Sequence, residues 1–171
     1  QQARFIPTGG VGLHNLNAYL SLPNVLCCGG SFLVPAGLVE AGRLDEIETL
    51  CRAAVQTMFD PQLCHVGMNC AGAQEAEQRA KALDRLFGFA PRELPGAWFA
   101  GSAAELVKKP FLGAHGHLAI AVNHIERAMA WYQAHGVAFR EEGLVMDGAG
   151  VVAVYLQEEV GGFAIHLRRR D

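Results

Sequence analysis

With 171 residues, 51% of them apolar and only 18% charged, the chain can bury one or two real cores and is too apolar for disorder. A formal net charge of −3 offers no basic field for nucleic acid, and Arg168, Arg169 and Arg170 form only a short basic tail, read as a solvated terminus. No apolar run reaches the roughly 18 residues of a membrane span, and the odd set Cys27, Cys28, Cys51, Cys64 and Cys70 shows no CxxC pairing, so a reducing, cytoplasmic setting is expected.

The first sixty residues read as strand, helix, strand, helix. Arg4 to Pro7 is a short apolar run ending in the turn Thr8-Gly9-Gly10; residues 14–23, HNLNAYLSLP, predict a brief helix; residues 24–30, NVLCCGG, predict a buried strand that again ends in glycine. From Asp45, which is placed to cap, Ile47, Leu50, Cys51, Ala54, Val55 and Met58 recur at helical spacing and build one apolar stripe. Two such units imply parallel pairing, which needs cover on both faces. The first methionine is Met58 and the chain opens on strand-like sequence, so the expectation is the last quarter of a larger domain whose N-terminal part is missing.

Asp60-Pro61 breaks this pattern and sets the expected boundary, giving units 1–60 and 61–171. Beyond it the sequence repeats with a period of about fifty residues. Residues 63–70 (LCHVGMNC) lead into a helix over 73–88, with Ala76, Ala80, Leu83 and Phe87 on one face, and then two strands, 90–101 and 102–109. The second copy answers with a strand at 116–122 (GHLAIAV), a helix at 124–136 capped by Asn123 with Glu126, and strands near 137–146, 151–157 and 162–169. Each copy is too small to close its own core, so the two should pair.

Two places carry chemistry. Glycines at strand ends permit positive φ and let backbone N–H groups form a concave anion site, so Thr8, Gly9 and Gly10 with Gly29, Gly30 and Ser31 are candidates for a shared phosphate or carboxylate cradle. The plainer alternative is two turns that only connect strand to helix. In the second unit, strand parity sets Leu118, Ile120 and Val122 on a core face and His117, Ala119 and Ala121 on the other. The same parity exposes His65 with Gly67 and Asn69, Glu105, and His166 on the face away from the helices. Three imidazoles and one carboxylate suit a divalent transition metal (Zn, Ni, Fe, Mn or Co) with open positions for a bidentate oxygen ligand. Against this, a lone strand histidine is usually only hydrogen-bonded, and 65, 105, 117, 166 is not a local motif. His115, His124 and His135 are read as solvated, Cys64 and Cys70 as core.

Residues 4–35, RFIPTGGVGLHNLNAYLSLPNVLCCGGSFLVP, resemble the end of the 2-keto-3-deoxy-6-phosphogluconate and 2-keto-4-hydroxyglutarate aldolases, with Phe32 where tryptophan is usual. That resemblance covers residues 3–58 and implies the last two βα units of a (β/α)8 barrel, a phosphate- or carboxylate-binding role for Thr8, Gly9, Gly10, Gly29, Gly30 and Ser31, pyruvate-forming Schiff-base chemistry, and a trimer. The only lysines are Lys81, Lys108 and Lys109, so the segment cannot form the imine and the chain itself carries no aldolase catalytic residue. Residues 114–122, AHGHLAIAV, resemble a strand of the vicinal oxygen chelate superfamily, which includes glyoxalase I and methylmalonyl-CoA epimerase. By that resemblance residues 63–170 are two paired βαβββ modules, and His65, Glu105, His117 and His166 are metal ligands, the fourth being more often Glu in the superfamily. The implied protein is a keto-acid aldolase fused to a metal-binding glyoxalase-like domain. The alternatives are a non-catalytic keto-acid-binding or assembly module and a stand-alone glyoxalase-like metalloenzyme.

Overall fold

The computed structural model describes residues 3–170. It divides into two compact units, one up to Asp60 and one from Pro61. Among the described residues, no helix is long and apolar enough to cross a membrane.

In the first unit the two glycine-ended runs do pair in parallel, though more sparingly than two full strands. Phe5 N–H donates to Asn24 O (2.9 Å), Leu26 N–H to Phe5 O (3.0 Å) and Gly29 N–H to Pro7 O (3.0 Å), around a single bridge, Phe5 to Val25. Pro7 lacks a ladder donor at the end of the first run and Pro23 lacks one immediately before the second, which limits how far the pairing extends. Helix α1 (Leu16–Leu20) is shorter than the sequence predicts. Its start is delayed because Asn15 folds back over the preceding turn, accepting from Gly12 N–H (2.8 Å) and donating to Gly10 O (2.9 Å). A short helix α2 (Ala36–Glu40) follows Pro35, which pre-sets φ at the helix entrance.

Helix α3 (Leu44–Phe59) carries the predicted stripe, with Ile47, Leu50, Cys51, Ala54, Val55 and Met58 half-buried. Its cap differs from expectation. Arg43 is the N-cap residue and makes no side-chain cap bond; Asp45 lies inside the first turn with Glu46, where both carboxylates complement the positive end of the helix. The core of this unit is Val11, Leu16, Leu20 and Val25, with Tyr19, Phe32, Ala54 and Met58 packed against it.

The second unit is one eight-stranded sheet in two matching halves. The first half runs β1 (Gln62–Asn69), α4 (Ala73–Phe87), β2 (Pro91–Glu93), β3 (Ala97–Ala100) and β4 (Ala104–Val107); the second runs β5 (Gly116–Val122), α5 (Ile125–Ala134), β6 (Val145–Asp147), β7 (Gly150–Val160) and β8 (Phe163–Arg169). The strand order is β2-β3-β4-β1-β5-β8-β7-β6, so each half is βαβββ and the halves join where β1 and β5 pair antiparallel. The first strand of each half pairs in parallel with its last, β1 with β4 and β5 with β8.

Several local readings are corrected. The run 90–101 is a hairpin, β2 and β3, because Leu94-Pro95-Gly96 turns the chain. The run 137–146 divides into a bridge at Phe139 and strand β6. Asn123 is not the N-cap residue of α5. His124, left-handed at φ 51°, is the N-cap residue, and the Glu126 carboxylate instead accepts from Val151 N–H of β7 (3.0 Å). On α4, Ala76 and Ala80 are fully buried against Cys70, Ala100 and Leu106 as the periodicity requires, but Phe87, in the last turn, is 65% exposed.

Leu106 has no exposed surface at the centre of the first half, between α4 and the sheet. Truncating it to Ala removes about three methylene-sized groups and leaves a cavity, an expected loss of ~2–5 kcal/mol. Urea unfolding of Leu106→Ala followed by circular dichroism checks this.

Candidate metal centre

The pairing register aligns two cross-strand rows on the sheet face away from the helices. In one, Phe99 of β3 pairs with Glu105 of β4, Glu105 with Gly67 of β1, and Gly67 with His117 of β5. In the other, His65 of β1 pairs with Ala119 of β5, Ala119 with His166 of β8, and His166 with Tyr155 of β7. In each row a minimal side chain separates two large polar ones, and directly opposed strand residues are close enough for their side chains to meet. Gly67 is needed outright: a Cβ there would lie 2.1 Å from His117 Cε1.

The result is a convergence of donor atoms. His65 Nε2 and His117 Nε2 are 3.2 Å apart, and Glu105 Oε2 is 3.1 Å from the first and 3.0 Å from the second. His166 completes a triad with His65 and His117, one ring nitrogen of each lying within 4.8 Å of the others. All three imidazoles are buried, and both ring nitrogens of His166 are buried with no hydrogen-bond partner. The face away from the helices is therefore itself well covered around the histidines. Ala119 has no exposure, whereas Leu118 and Ile120 on the presumed core face are only half-buried.

These spacings have an electrostatic consequence. Two Nε2 lone pairs aimed at each other and at a carboxylate repel, and two Nε2–H groups would compete for one oxygen. A cation at their common focus removes the conflict. Zn–N bonds of about 2.0–2.1 Å at tetrahedral angles place donors roughly 3.3–3.4 Å apart, close to the separations here. Burial alone would raise the Glu105 carboxyl, but hydrogen bonds from His117 and His65 outweigh it and hold it at about 2, so the group is anionic. Burial, reinforced by the neighbouring His117 and His65, pushes His166 down to about 3, so it stays neutral with a lone pair to offer. The donors present thus fit a divalent ion.

Residues not read from the sequence complete the surroundings. Tyr155 stacks on His166 (ring centroids 4.8 Å, interplanar 19°), and burial, with the Glu105 charge adding to it, pushes its phenol to about 12. Phe99 meets His65 edge-on at 5.6 Å. Cys64, expected to be core, sets its Sγ 3.6 Å from His65 Nδ1, on the far side of the ring from the focus. An open cavity of about 490 Å³ reaches the cluster at Glu105, His117 and Tyr155. Of the remaining histidines, His115 and His135 are exposed; His124 is half-buried, and burial first, then Arg127, lowers its pKa, so it is not simply solvated.

In the first unit the two glycine turns lie side by side. A Cβ on Gly29 would be 3.7 Å from Thr8 Cγ2, and one on Gly30 would be 3.3 Å from Val11 O and 2.7 Å from the Phe32 ring. Gly10 has φ +69°, and neither Gly9 nor Gly10 would meet an atom within 4 Å through a Cβ. Thr8 and Ser31 are exposed beside them.

Residues 1–50 match the family described as KDPG and KHG aldolase. The segment is 54% identical over 55 residues to the KHG/KDPG aldolase of Escherichia coli K12, covering 32% of this chain and 26% of that protein. It is 56% identical over 52 residues to the 2-dehydro-3-deoxy-phosphogluconate aldolase of Dickeya dadantii, covering 30% and 24%. The chain thus spans about a quarter of the length of these relatives. Among solved structures it is similar to a methylmalonyl-CoA epimerase from Mycobacterium tuberculosis, with 17% identity, TM-score 0.46, and 64% of this chain and 87% of that one covered. A Streptomyces coelicolor methylmalonyl-CoA epimerase matches at 14% identity and TM-score 0.44, covering 63% and 96%.

His166 gives a pH signature. Its folded pKa lies below the ordinary 6.5, so the unfolded chain takes up a proton that the folded chain refuses, and stability is lost as pH falls from 6.5 towards 3. Between pH 7 and 5, before carboxylates titrate, the expected loss is about 2 kcal/mol. Urea midpoints at the two pH values measure it in chelator-treated protein. His166→Phe should flatten the fall, leaving the smaller contribution of His124, which has the same sign.

Proposed function

We propose that residues 1–58 provide the phosphate- or carboxylate-binding end of a pyruvate-forming keto-acid aldolase barrel, and that residues 61–171 form a divalent-metal site acting on a small keto-acid substrate. The aldolase half rests on the family match of residues 1–50 and on the juxtaposed turns Thr8-Gly9-Gly10 and Gly29-Gly30-Ser31. With no lysine before Lys81, this segment has no amine for a Schiff base, so the chain by itself is inactive in aldol cleavage; in the whole protein, cytoplasmic and a trimer by family resemblance, the lyase chemistry belongs elsewhere in the barrel.

The observation that carries the metal reading is the mutual contact of His65 Nε2, His117 Nε2 and Glu105 Oε2 at 3.0–3.2 Å. His65, His117, Glu105 and His166 would hold the ion; Zn, Ni, Fe, Mn and Co all suit this donor set. A divalent ion held there would supply Lewis-acid polarisation of a substrate carbonyl or enediolate, as isomerase, epimerase or lyase reactions on 2-keto acids need. The protein's own groups do the rest. Neutral His166 holds its place against Tyr155, and Tyr155 and Phe111, which meet edge-on at 5.8 Å, form one wall of the cleft. The Tyr155 phenol, protonated throughout the physiological range, can donate to a substrate oxygen.

Titration with Ni(II) or Zn(II) should show one equivalent bound per chain. Ligand binding to the folded state stabilises it by RT ln(1 + [L]/Kd), about 2.7 kcal/mol at a hundredfold excess over Kd. The expected result is a clear rise in melting temperature that chelator reverses and that His117→Ala abolishes. A folded chain whose melting temperature is indifferent to metal and chelator would refute the metal site and favour a non-catalytic binding module.

A further inference from the structure

Strand period two carries more than Glu105 into the cleft. Glu105 and Val107 lie on one side of β4, and Lys109, in the bend that follows the strand, lines the same cavity that opens on the histidine cluster. Lys108, on the opposite side, is committed elsewhere: its Nζ lies 2.6 Å from Glu93 Oε1 and 2.8 Å from Leu94 O. Among the described residues that line the cleft, Lys109 is the one lysine or arginine, and no carboxylate pairs with it. The rest of the lining is mostly apolar, with Leu94, Pro95, Val107 and Phe111, and its other polar side chain is Asn69, which pairs with Val107 across β1 and β4 and donates to Gly113 O (2.8 Å).

The cleft therefore combines metal-ligating donors (Glu105, His117), a largely hydrocarbon lining interrupted by Asn69, and one exposed ammonium, Lys109. At a rise of ~3.3 Å per residue, the Cα atoms of Glu105 and Lys109 are at most ~13 Å apart, and the lysine stem can reach back over part of that distance. A short carbon chain fills what remains.

Resting on the metal-site reading, we propose that the cleft is built for a small organic acid with two ends: vicinal oxygens directed at the His65–Glu105–His117 cluster, and a distal anion, carboxylate or phosphate, held by Lys109. Lys109 is then the specificity-determining residue, and acids that lack the distal charge bind poorly.

Matched probes test this in the full chain. Isothermal calorimetry on Co(II)-loaded protein would compare 2-oxoglutarate with 2-oxopentanoate, in which a methyl group replaces the distal carboxylate, and 3-phosphoglycerate with glycerate, which lacks only the phosphate. The expected result is at least tenfold tighter binding of the charged member of one pair, and the pair concerned identifies carboxylate or phosphate as the distal group. Lys109→Met should reduce that ratio to near one while leaving 2-oxopentanoate or glycerate affinity unchanged; Lys109→Arg should retain it. Equal binding within both pairs, or a preference that survives Lys109→Met, would overturn the proposal. The cobalt visible spectrum recorded before any acid is added reports the metal site separately. If it shows no bound cobalt, the metal reading fails, and the same pairs titrated into metal-free protein still decide the role of Lys109.

Discussion

The antiparallel pairing of β1 with β5 is the constraint on which the second unit depends. It joins two βαβββ halves that each present large polar side chains on one face, and its register decides whether those side chains meet. With Gly67 opposite His117 and Ala119 opposite His65, each imidazole has a small neighbour to lean over. A slip of one residue between them would put the His65–Glu105 pair and the His117–His166 pair on opposite faces of the sheet. The fit is tight at Gly67 and again at Gly116, whose φ of +127° and 2.0 Å approach of a would-be Cβ to Gly67 O leave room for glycine alone.

From this register follow the site's electrostatics. Three buried imidazoles and a carboxylate cost free energy to desolvate, and within the protein the two unpartnered nitrogens of His166 are uncompensated. A buried polar group left this way is a point where stability is given up for something the fold must hold. The same burial that disfavours His166 as a cation keeps it competent as a neutral donor, and the same two imidazoles that crowd Glu105 keep it ionised.

Much of this was legible in the sequence because strand parity is a simple code. Alternation in GHLAIAV and CHVGMNC puts His117 and His65 away from the helices, and the repeat of strand, helix and strands predicts two halves that must close on each other. What parity cannot supply is cross-strand register. Tyr155 and Phe99 sit in runs that look like ordinary core, and only their opposition to His166 and Glu105 brings them to the site. Lys109 was legible as a lysine but not as the cleft's cation, since that depends on Lys108 being drawn to Glu93. Caps misled for a related reason: Glu126 has a better partner in Val151 N–H, from a strand twenty-five residues away, than in its own helix end. In the first unit periodicity located α3, while the two expected strands are reduced to a single parallel bridge, Phe5 to Val25, with Val25 alone buried in the second run, and the Asn15 clasp shortened α1.

The central claim is that His65, Glu105, His117 and His166 close on one ion. X-ray absorption spectroscopy of the chain loaded with one equivalent of Zn(II) tests it most directly. The account requires a first shell of nitrogen and oxygen at about 2.0–2.1 Å with outer-shell scattering from at least two imidazoles. A shell dominated by sulfur near 2.3 Å, or one of water oxygens without imidazole scattering, would contradict it.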